Sequence, residues 1–343
     1  MQYRRLGQTG MTVSRICLGC MSYGSSKWRP WVLNEDAARP FFRQAIERGI
    51  NFFDTADMYS LGVSEEVTGR ALRAMAKLEE IVIATKVFWP MGEGQNMSGL
   101  SRKHIMQACE ASLRRLGIET IDLYQIHRFD PVTGIEDTLR ALDDLVHAGK
   151  VRYIGCSNLF AWQLMKALAV SRAEGLERFK CTQSYYSLAG RELEREMIPL
   201  LKDQGLGLLV WSPLAGGFLS GKFTRDNQDA AARRATFDFP PVDKDRAYGI
   251  VEAMRTVADG HGVSVAQIAL AWILAHDVVT SVIIGARKLE QLDDNLKSVD
   301  VMLSAGELKA LDDASRLAPE YPAWMDRLPS DRRPGEVRRY GRQ

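Results

Sequence analysis

The sequence predicts a closed (β/α)₈ barrel, an α/β fold in which eight parallel strands alternate with helices. A short apolar run, a polar loop, an amphipathic stretch and often a glycine recur as a unit along the 343 residues. Strands that alternate with helices form right-handed βαβ units and therefore a parallel sheet. Eight runs are present, which is the number that closes such a sheet into a barrel. The runs are residues 16–18, 51–53, 81–85, 122–126, 153–156, 181–185, 207–210 and 281–284.

A doubly wound open sheet is the alternative for the same alternation of strands and helices. The best-known sequence sign of that fold is a G-x-G-x-x-G motif after the first strand, and no such motif follows residues 16–18. The closed barrel is therefore the favoured prediction.

A small β-hairpin is predicted ahead of the first unit. Residues 2–16 alternate in polarity, and a turn is indicated between Gly7 and Gly10.

The segments between the runs have the spacing of amphipathic helices. In one of them, Ile135, Leu139, Leu142 and Val146 fall on a single helical face. Glycines just ahead of several strands suit the left-handed conformation that ends a helix. They are Gly49, Gly117, Gly149, Gly175 and Gly205.

Extra helices are predicted near the C-terminus, because the gap between the seventh and eighth runs is too long for one unit. It holds a polar loop at 224–245 and two helix patterns that break at residues 260–262. No linker divides the chain, so a single domain is predicted over residues 1–318. An irregular tail is predicted over residues 319–343, and two readings of its Tyr321 and Trp324 stay open, folded over the barrel mouth or in solvent.

Composition predicts a cytoplasmic protein with no general electrostatic attraction to nucleic acid or membrane. The net charge is +2, 46% of residues are hydrophobic, and no apolar run has the length of a transmembrane segment. No signal-type apolar segment follows the N-terminus. Cys17 and Cys20 are interpreted as buried thiols, and no second Cys/His pair completes a metal site, so no metal is expected.

Three ionisable residues stand where successive predicted strands end. Asp54 ends the second, Lys86 the third and His127 the fourth, and Tyr59 follows in the loop after Asp54. Because the carboxyl ends of barrel strands meet at one face, these side chains are expected to converge. Their joint placement predicts a catalytic site more strongly than any one of them does.

The residue types suit proton donation to a carbonyl group. A phenol has a pKa near 10, and a neighbouring ammonium lowers it. Asp54 is expected to pair with Lys86, and His127 to donate a hydrogen bond to a substrate oxygen. No side chain supplies hydride, so a reduction needs a nicotinamide cofactor.

At this point the chain resembles a known family. Asp54, Tyr59, Lys86 and His127 look like the catalytic tetrad of the aldo-keto reductases, and further motifs follow in the family's order. These are YIGCSN at 153–158, Gln183, WSPLAGG at 211–217, SGK at 220–222 and IGARKLEQLDDN at 284–295. The chain looks closest to the stand-alone bacterial and fungal reductases related to potassium-channel β subunits.

The resemblance implies NADPH bound across the barrel mouth and hydride transfer to an aldehyde or ketone, with Tyr59 as the acid. It also implies a set of cofactor contacts besides Asp54. Ser157, Asn158 and Gln183 hold the carboxamide; Trp211 stacks on the nicotinamide; Ser212, Pro213, Leu214, Gly216 and Lys222 cradle the pyrophosphate; Gly285, Arg287, Gln291, Asp294 and Asn295 take the adenosine end.

Aromatic residues in the loops predict the wall of a pocket for a small-molecule carbonyl substrate. Trp28 and Trp31 follow the first strand, and Phe88 and Trp89 follow Lys86. Together with Tyr59 and His127 they are expected to line the substrate site.

Two other functions stay open. One is a Schiff-base lyase that uses Lys86 as nucleophile, which a paired Asp54 argues against. The other is a cofactor-sensing regulatory subunit with weak turnover. The presence of His127 argues against that function, because regulatory relatives can lack it.

Overall fold

The computed structural model describes residues 1–224, 234 and 237–325. The chain folds into a closed barrel of eight parallel strands, as predicted, in the order β3-β4-β5-β6-β7-β8-β9-β10 with β10 paired to β3. A separate antiparallel hairpin precedes the barrel. The strands are β1 (Tyr3–Arg5), β2 (Thr12–Ser14), β3 (Ile16–Gly19), β4 (Phe52–Asp54), β5 (Val82–Val87), β6 (Ile121–Ile126), β7 (Val151–Ser157), β8 (Cys181–Tyr185), β9 (Gly207–Trp211) and β10 (Val279–Ile284).

Helices within the described residues surround the barrel. They are α1 (Glu35–Glu47), α2 (Val63–Met75), α3 (Arg102–Leu116), α4 (Ile135–His147), α5 (Ala161–Glu174), α6 (Met197–Gln204), α7 (Lys244–His261), α8 (Val265–Leu274), α9 (Leu289–Leu296) and α10 (Ala305–Ser315). The predicted extra helices are α7 and α8, and the chain breaks between them at Gly262, with φ +64°. The five glycines expected to follow helices all have positive φ.

The hairpin closes the lower end of the barrel. Leu6 and Val13 are fully buried and pack with the interior side chains Phe52, Leu123 and Leu209. At Gly7 a Cβ atom would lie 2.6 Å from the carbonyl oxygen of Lys180, so only glycine fits beside the start of β8. With the lower end filled, the opposite end remains for function.

The described part of the C-terminal tail lies beside the segment that follows β8. Glu320 pairs with Arg195 at 2.7 Å, and the rings of Tyr321 and Trp324 pack on each other at 5.9 Å. Tyr321 is 75% exposed. Residues 326–343 of the predicted irregular tail lie outside the described residues.

No single helix in the described ranges is long and apolar enough to cross a membrane. The pair α7 and α8 meets that requirement only when the two are joined across a 96° bend.

Candidate active site

The site is built from the upper layer of the barrel interior. Side chains two residues apart on a strand point to the same side, so the residue two places after an apolar interior residue also points inwards. Fully buried apolar residues form the lower layer, and polar residues follow them in the upper layer. The pairs are Phe52 and Asp54, Ala84 and Lys86, Leu123 and Gln125, Cys181 and Gln183.

Asp54 and Lys86 form a buried ion pair at the end of neighbouring strands. Lys86 Nζ lies 2.5 Å from Asp54 Oδ2 and donates a second hydrogen bond to the carbonyl oxygen of Thr55 at 2.8 Å. Burial lowers the pKa of Lys86, but Asp54 and Tyr59 raise it, and the pKa lies above its ordinary value. Lys86 is therefore an ammonium at neutral pH.

Two amide side chains occupy the other oxygen of Asp54. Gln125 Nε2 donates to Oδ1 at 3.1 Å and Gln183 Nε2 donates to it at 2.9 Å. Gln125 was assigned no role in the sequence analysis. The period of two from Leu123 and its place beside Lys86 on the adjacent strand are the signals that point to it.

Tyr59 follows β4 in a tight turn. Its backbone N–H donates to Ala56, and Ser60 and Leu61 after it both have φ +53°. Lys86 Nζ lies 5.1 Å from the centre of the Tyr59 ring. Burial raises the pKa of Tyr59 more than Lys86 lowers it, so its pKa is above the ordinary value. The expected lowering by Lys86 is present, but burial outweighs it.

His127 lies opposite Tyr59, with the two ring centres 5.8 Å apart. Burial, and then the charge of Lys86, hold the pKa of His127 well below its ordinary value. The imidazole is therefore neutral at physiological pH and has one N–H to donate.

Hydrogen bonds join His127 to the residues expected around the nicotinamide. Asn158, with φ +58°, donates from Nδ2 to the His127 carbonyl at 3.0 Å and to Ser157 Oγ at 2.9 Å. Trp211 Nε1 donates to Asn158 Oδ1 at 3.0 Å, and Ser157 Oγ donates to the Gln183 carbonyl at 2.9 Å. These five residues thus form one connected group.

The segment after β9 contains several residues with positive φ. Ser212 and Ala215 have φ +50° and +48°, and Gly216 and Gly217 have φ +67° and +96°. At Gly217 a Cβ would meet nothing within 4 Å, so the glycine leaves open space above the backbone. Pro213 and Leu214 lie within this turn, and exposed Lys222 follows it.

A cavity of about 320 Å³ lies between the loops after β10 and β3. Arg287, Lys288 and Gln291 line one side, and Pro30, Trp31 and Leu33 line the other. Trp31 therefore borders this cavity as well as packing on Trp28 at 6.4 Å.

The other residues expected at the adenosine end lie around α9 and α8. Asp294 accepts hydrogen bonds from Ser264 and Gln267, which ties α9 to the start of α8. Asn295 is buried, and Gly285 is exposed at the end of β10.

Aromatic rings line the mouth around Tyr59 and His127. The ring centres of Trp28 and Tyr59 are 6.3 Å apart. The ring centre of Trp89 lies 6.2 Å from that of His127 and 5.2 Å from that of Phe88. Phe239 stacks on Trp211 at 5.6 Å with only 7° between the ring planes. Phe239 had no signal in the sequence, because it comes from the polar loop between β9 and α7.

The whole barrel matches one protein family. The model of the aldo/keto reductase family matches residues 15–316, which includes every barrel strand. This chain belongs to the aldo/keto reductase family.

Curated relatives of this aldo/keto reductase extend the match over nearly the whole chain. A versiconal hemiacetal acetate reductase of Aspergillus parasiticus is 39% identical over 91% of this chain and 96% of its own length. An uncharacterized oxidoreductase of Bacillus subtilis is 37% identical over 94% of this chain and 100% of its own length. A probable voltage-gated potassium channel subunit beta of Oryza sativa subsp. japonica is 36% identical over 88% of this chain and 92% of its own length.

These matches confirm the resemblance to fungal and bacterial reductases and to potassium-channel β subunits. Family membership makes this aldo/keto reductase an oxidoreductase and supports carbonyl reduction as its general activity. Within the described residues, no group of three or more His, Cys, Asp or Glu side chains could hold a metal ion.

Proposed function

We propose that this aldo/keto reductase reduces an aldehyde or ketone to an alcohol with NADPH, with Tyr59 as the general acid. The observation that carries the proposal is the convergence of four groups on one opening. The buried Lys86–Asp54 pair lies beneath the ring of Tyr59, and neutral His127 lies across from it.

The surrounding residues fit a nicotinamide cofactor. Gln183 uses Nε2 on Asp54, and its Oε1 accepts no hydrogen bond within the described residues, so it is available to a carboxamide N–H. The turn after β9 leaves its backbone open to phosphates. Arg287 and Lys288 place positive charge beside the cavity next to α9. A bound cofactor would supply the hydride that adds to the carbonyl carbon.

The chain's own residues then supply the proton and stabilise the charge that its transfer leaves behind. His127 donates its N–H to the carbonyl oxygen and orients the substrate. As the carbonyl π bond opens, Tyr59 gives its phenolic proton to that oxygen, which becomes the alcohol hydroxyl. Lys86 stabilises the phenolate that remains until water returns a proton. Asp54 holds Lys86 in place and keeps it charged.

The high pKa of Tyr59 in the free site agrees with an acid rather than a base. A phenol that stays protonated at neutral pH has a proton to give, and Lys86 favours its loss only when a substrate oxygen can take it.

The Schiff-base alternative fits the geometry less well. A lysine nucleophile must lose its proton, and Asp54 opposes this loss at 2.5 Å. The regulatory alternative requires weak turnover, and the four catalytic groups are all present and in contact.

The test is transfer of hydrogen from the cofactor to carbon. Purified protein is mixed with a panel of aldehydes and ketones, and NADPH absorbance is followed. With NADPH deuterated at C4 of the nicotinamide, the alcohol is expected to carry one deuterium at the former carbonyl carbon. A panel with no NADPH consumption, despite tight NADPH binding, would favour the regulatory function.

A further inference from the structure

The side chain of Arg128 lies beside the aromatic rings around the catalytic residues, and within the described residues it has no carboxylate partner. It follows His127 directly and is exposed. Its guanidinium carbon lies 5.5 Å from the ring centres of both Phe88 and Trp89. Among the residues described, no acidic side chain lies within ion-pair distance of Arg128.

The nearest acid in sequence is already committed elsewhere. Asp130 Oδ2 accepts from the Leu100 N–H and from the Thr133 hydroxyl, both at 2.8 Å, and Oδ1 accepts from the Val132 N–H at 2.9 Å. Some exposed arginines, such as Arg70 and Arg140, pair with a glutamate, whereas others, such as Arg43 and Arg172, have no acidic partner within the described residues. What distinguishes Arg128 is its place beside Phe88 and Trp89, next to the catalytic His127, with N–H donors that Asp130 does not use.

The position of Arg128 favours the substrate over the cofactor. A single ring, that of Trp89, separates the guanidinium from His127, the group expected to hold the carbonyl. Apart from Asp54, the residues expected to hold the cofactor lie on or after β7, β8, β9 and β10, whereas Arg128 follows β6. A guanidinium that stacks on aromatic rings leaves its N–H edge free for a planar carboxylate.

Arg29 provides the contrast. It lies over Trp28 at 4.9 Å and over Phe237 at 4.3 Å, and its neighbours Pro30 and Trp31 line the cavity beside Arg287. Arg29 therefore lies on the opposite side of the mouth from Phe88 and Trp89, between Trp28 and the cavity beside Arg287.

We propose that Arg128 is a specificity-determining residue that selects aromatic carbonyl substrates carrying a carboxylate. The aromatic ring of the substrate lies against Trp89, its carbonyl group meets Tyr59 and His127, and its carboxylate meets Arg128. This inference rests on the proposed carbonyl reduction and names the substrate class of the same site.

The test compares two aldehydes of nearly the same shape, 4-formylbenzoate and its neutral amide, 4-formylbenzamide. The ratio of their kcat/KM values is expected to favour the carboxylate by about 5- to 20-fold in the wild type, as a charge-assisted contact in a partly screened position does. In Arg128→Met, which keeps most of the apolar stem, the ratio should fall to about one. Arg128→Lys should keep part of the preference, because the positive charge remains although the paired N–H donors of the guanidinium are lost.

Arg29→Met is the matched control, since it also removes an arginine stacked on a tryptophan. It should leave the ratio at the wild-type value, because Arg128, Phe88 and Trp89 stay unchanged. An equal ratio in the wild type and Arg128→Met would overturn the assignment of Arg128.

A binding measurement separates this inference from the proposed function. Benzoate and benzamide are titrated against tryptophan fluorescence in the presence of NADP⁺. Benzoate should bind the wild type at least about fivefold more tightly than it binds Arg128→Met, and benzamide should not distinguish them. If no aldehyde is reduced, the proposed function fails, and this titration still decides the role of Arg128: indistinguishable benzoate affinities would overturn it.

Discussion

Gln125 and Asp54 meet across the barrel interior from β6 and β4, two strands that β5 separates. Gln125 Nε2 lies 3.1 Å from Asp54 Oδ1, the oxygen that also accepts from Gln183 Nε2. A carboxylate only accepts, so both amides must turn their nitrogen towards it. Gln183 Nε2 also lies 3.4 Å from Gln125 Oε1. Asp54 and Gln125 thereby hold Gln183 in the orientation in which its Oε1 faces a ligand.

Gln125→Leu is expected to weaken NADPH binding by up to about tenfold, because the Gln183 amide loses one of the two groups that orient it. Binding of 2′,5′-ADP, which lacks the nicotinamide, should stay as in the wild type. Fluorescence titration measures both constants. Gln267→Leu is the matched control, since it also removes an amide donor to an aspartate, but at the Asp294 end. It should weaken the binding of NADPH and of 2′,5′-ADP equally. Equal losses in Gln125→Leu would show that the residue supports the fold instead.

The sequence was sufficient to predict the barrel and the residues at its strand ends. Apolar runs located all eight barrel strands, and the structure places Asp54 and Lys86 at the ends of β4 and β5, with His127 directly after β6. These features depend on periodicity within one segment, which a single sequence displays directly.

Contacts that depend on register and loop path were not predicted. The bond from Gln125 to Asp54 requires the alignment of three strands, and the stacking of Phe239 on Trp211 requires the course of a long polar loop. The direction in which the pKa of Tyr59 shifts could not be predicted from the sequence either, because burial of the phenol outweighs the charge of Lys86. Burial is a property of the packed barrel and not of a motif.

Tyr59→Phe is expected to lower kcat by roughly 10²- to 10⁴-fold, the usual contribution of a positioned acid. NADPH binding should change little, because the ring remains. Tyr124→Phe is a suitable control, since Tyr124 is fully buried and its hydroxyl has no hydrogen-bond partner within the described residues. Steady-state kinetics with a good aldehyde measures both variants. More than half of the wild-type kcat in Tyr59→Phe would exclude the phenol as the acid.

Lys86→Met is expected to slow reduction and to move the pH profile of alcohol oxidation to higher pH. Lys86 lowers the pKa of Tyr59, whereas burial and Asp54 raise it, so removal of the ammonium leaves only the raising effects. Oxidation needs the phenolate, and its rate should therefore begin to rise at a higher pH than in the wild type. The profile of kcat against pH measures the shift. An unchanged profile in a folded variant would contradict the assigned role of Lys86.

The same substitution leaves Asp54 as a buried charge without its cation, which typically costs about 3–5 kcal/mol of unfolding free energy. The double variant Asp54→Asn, Lys86→Met removes both charges and should recover most of that stability without recovering activity. Urea denaturation compares the single and double variants. If the double variant were no more stable than Lys86→Met alone, the loss would come from packing rather than from the unpaired carboxylate.

Arg287→Ala is expected to weaken NADPH binding by about tenfold while NADH binding changes little. Arg287 is exposed and lines the cavity beside α9 with Lys288 and Gln291. An arginine can form two charge-assisted hydrogen bonds with a 2′-phosphate, a group that NADH lacks. The contact is open to solvent, so the effect should be smaller than that of a buried pair and should shrink further in high salt.

Lys288→Ala is the matched control, because Lys288 lines the same cavity and could take over part of the charge. Both dissociation constants are measured by fluorescence titration at low and high salt. Equal losses for the two cofactors would mean that Arg287 contacts the part they share, or supports the loop after β10, and does not select the phosphate.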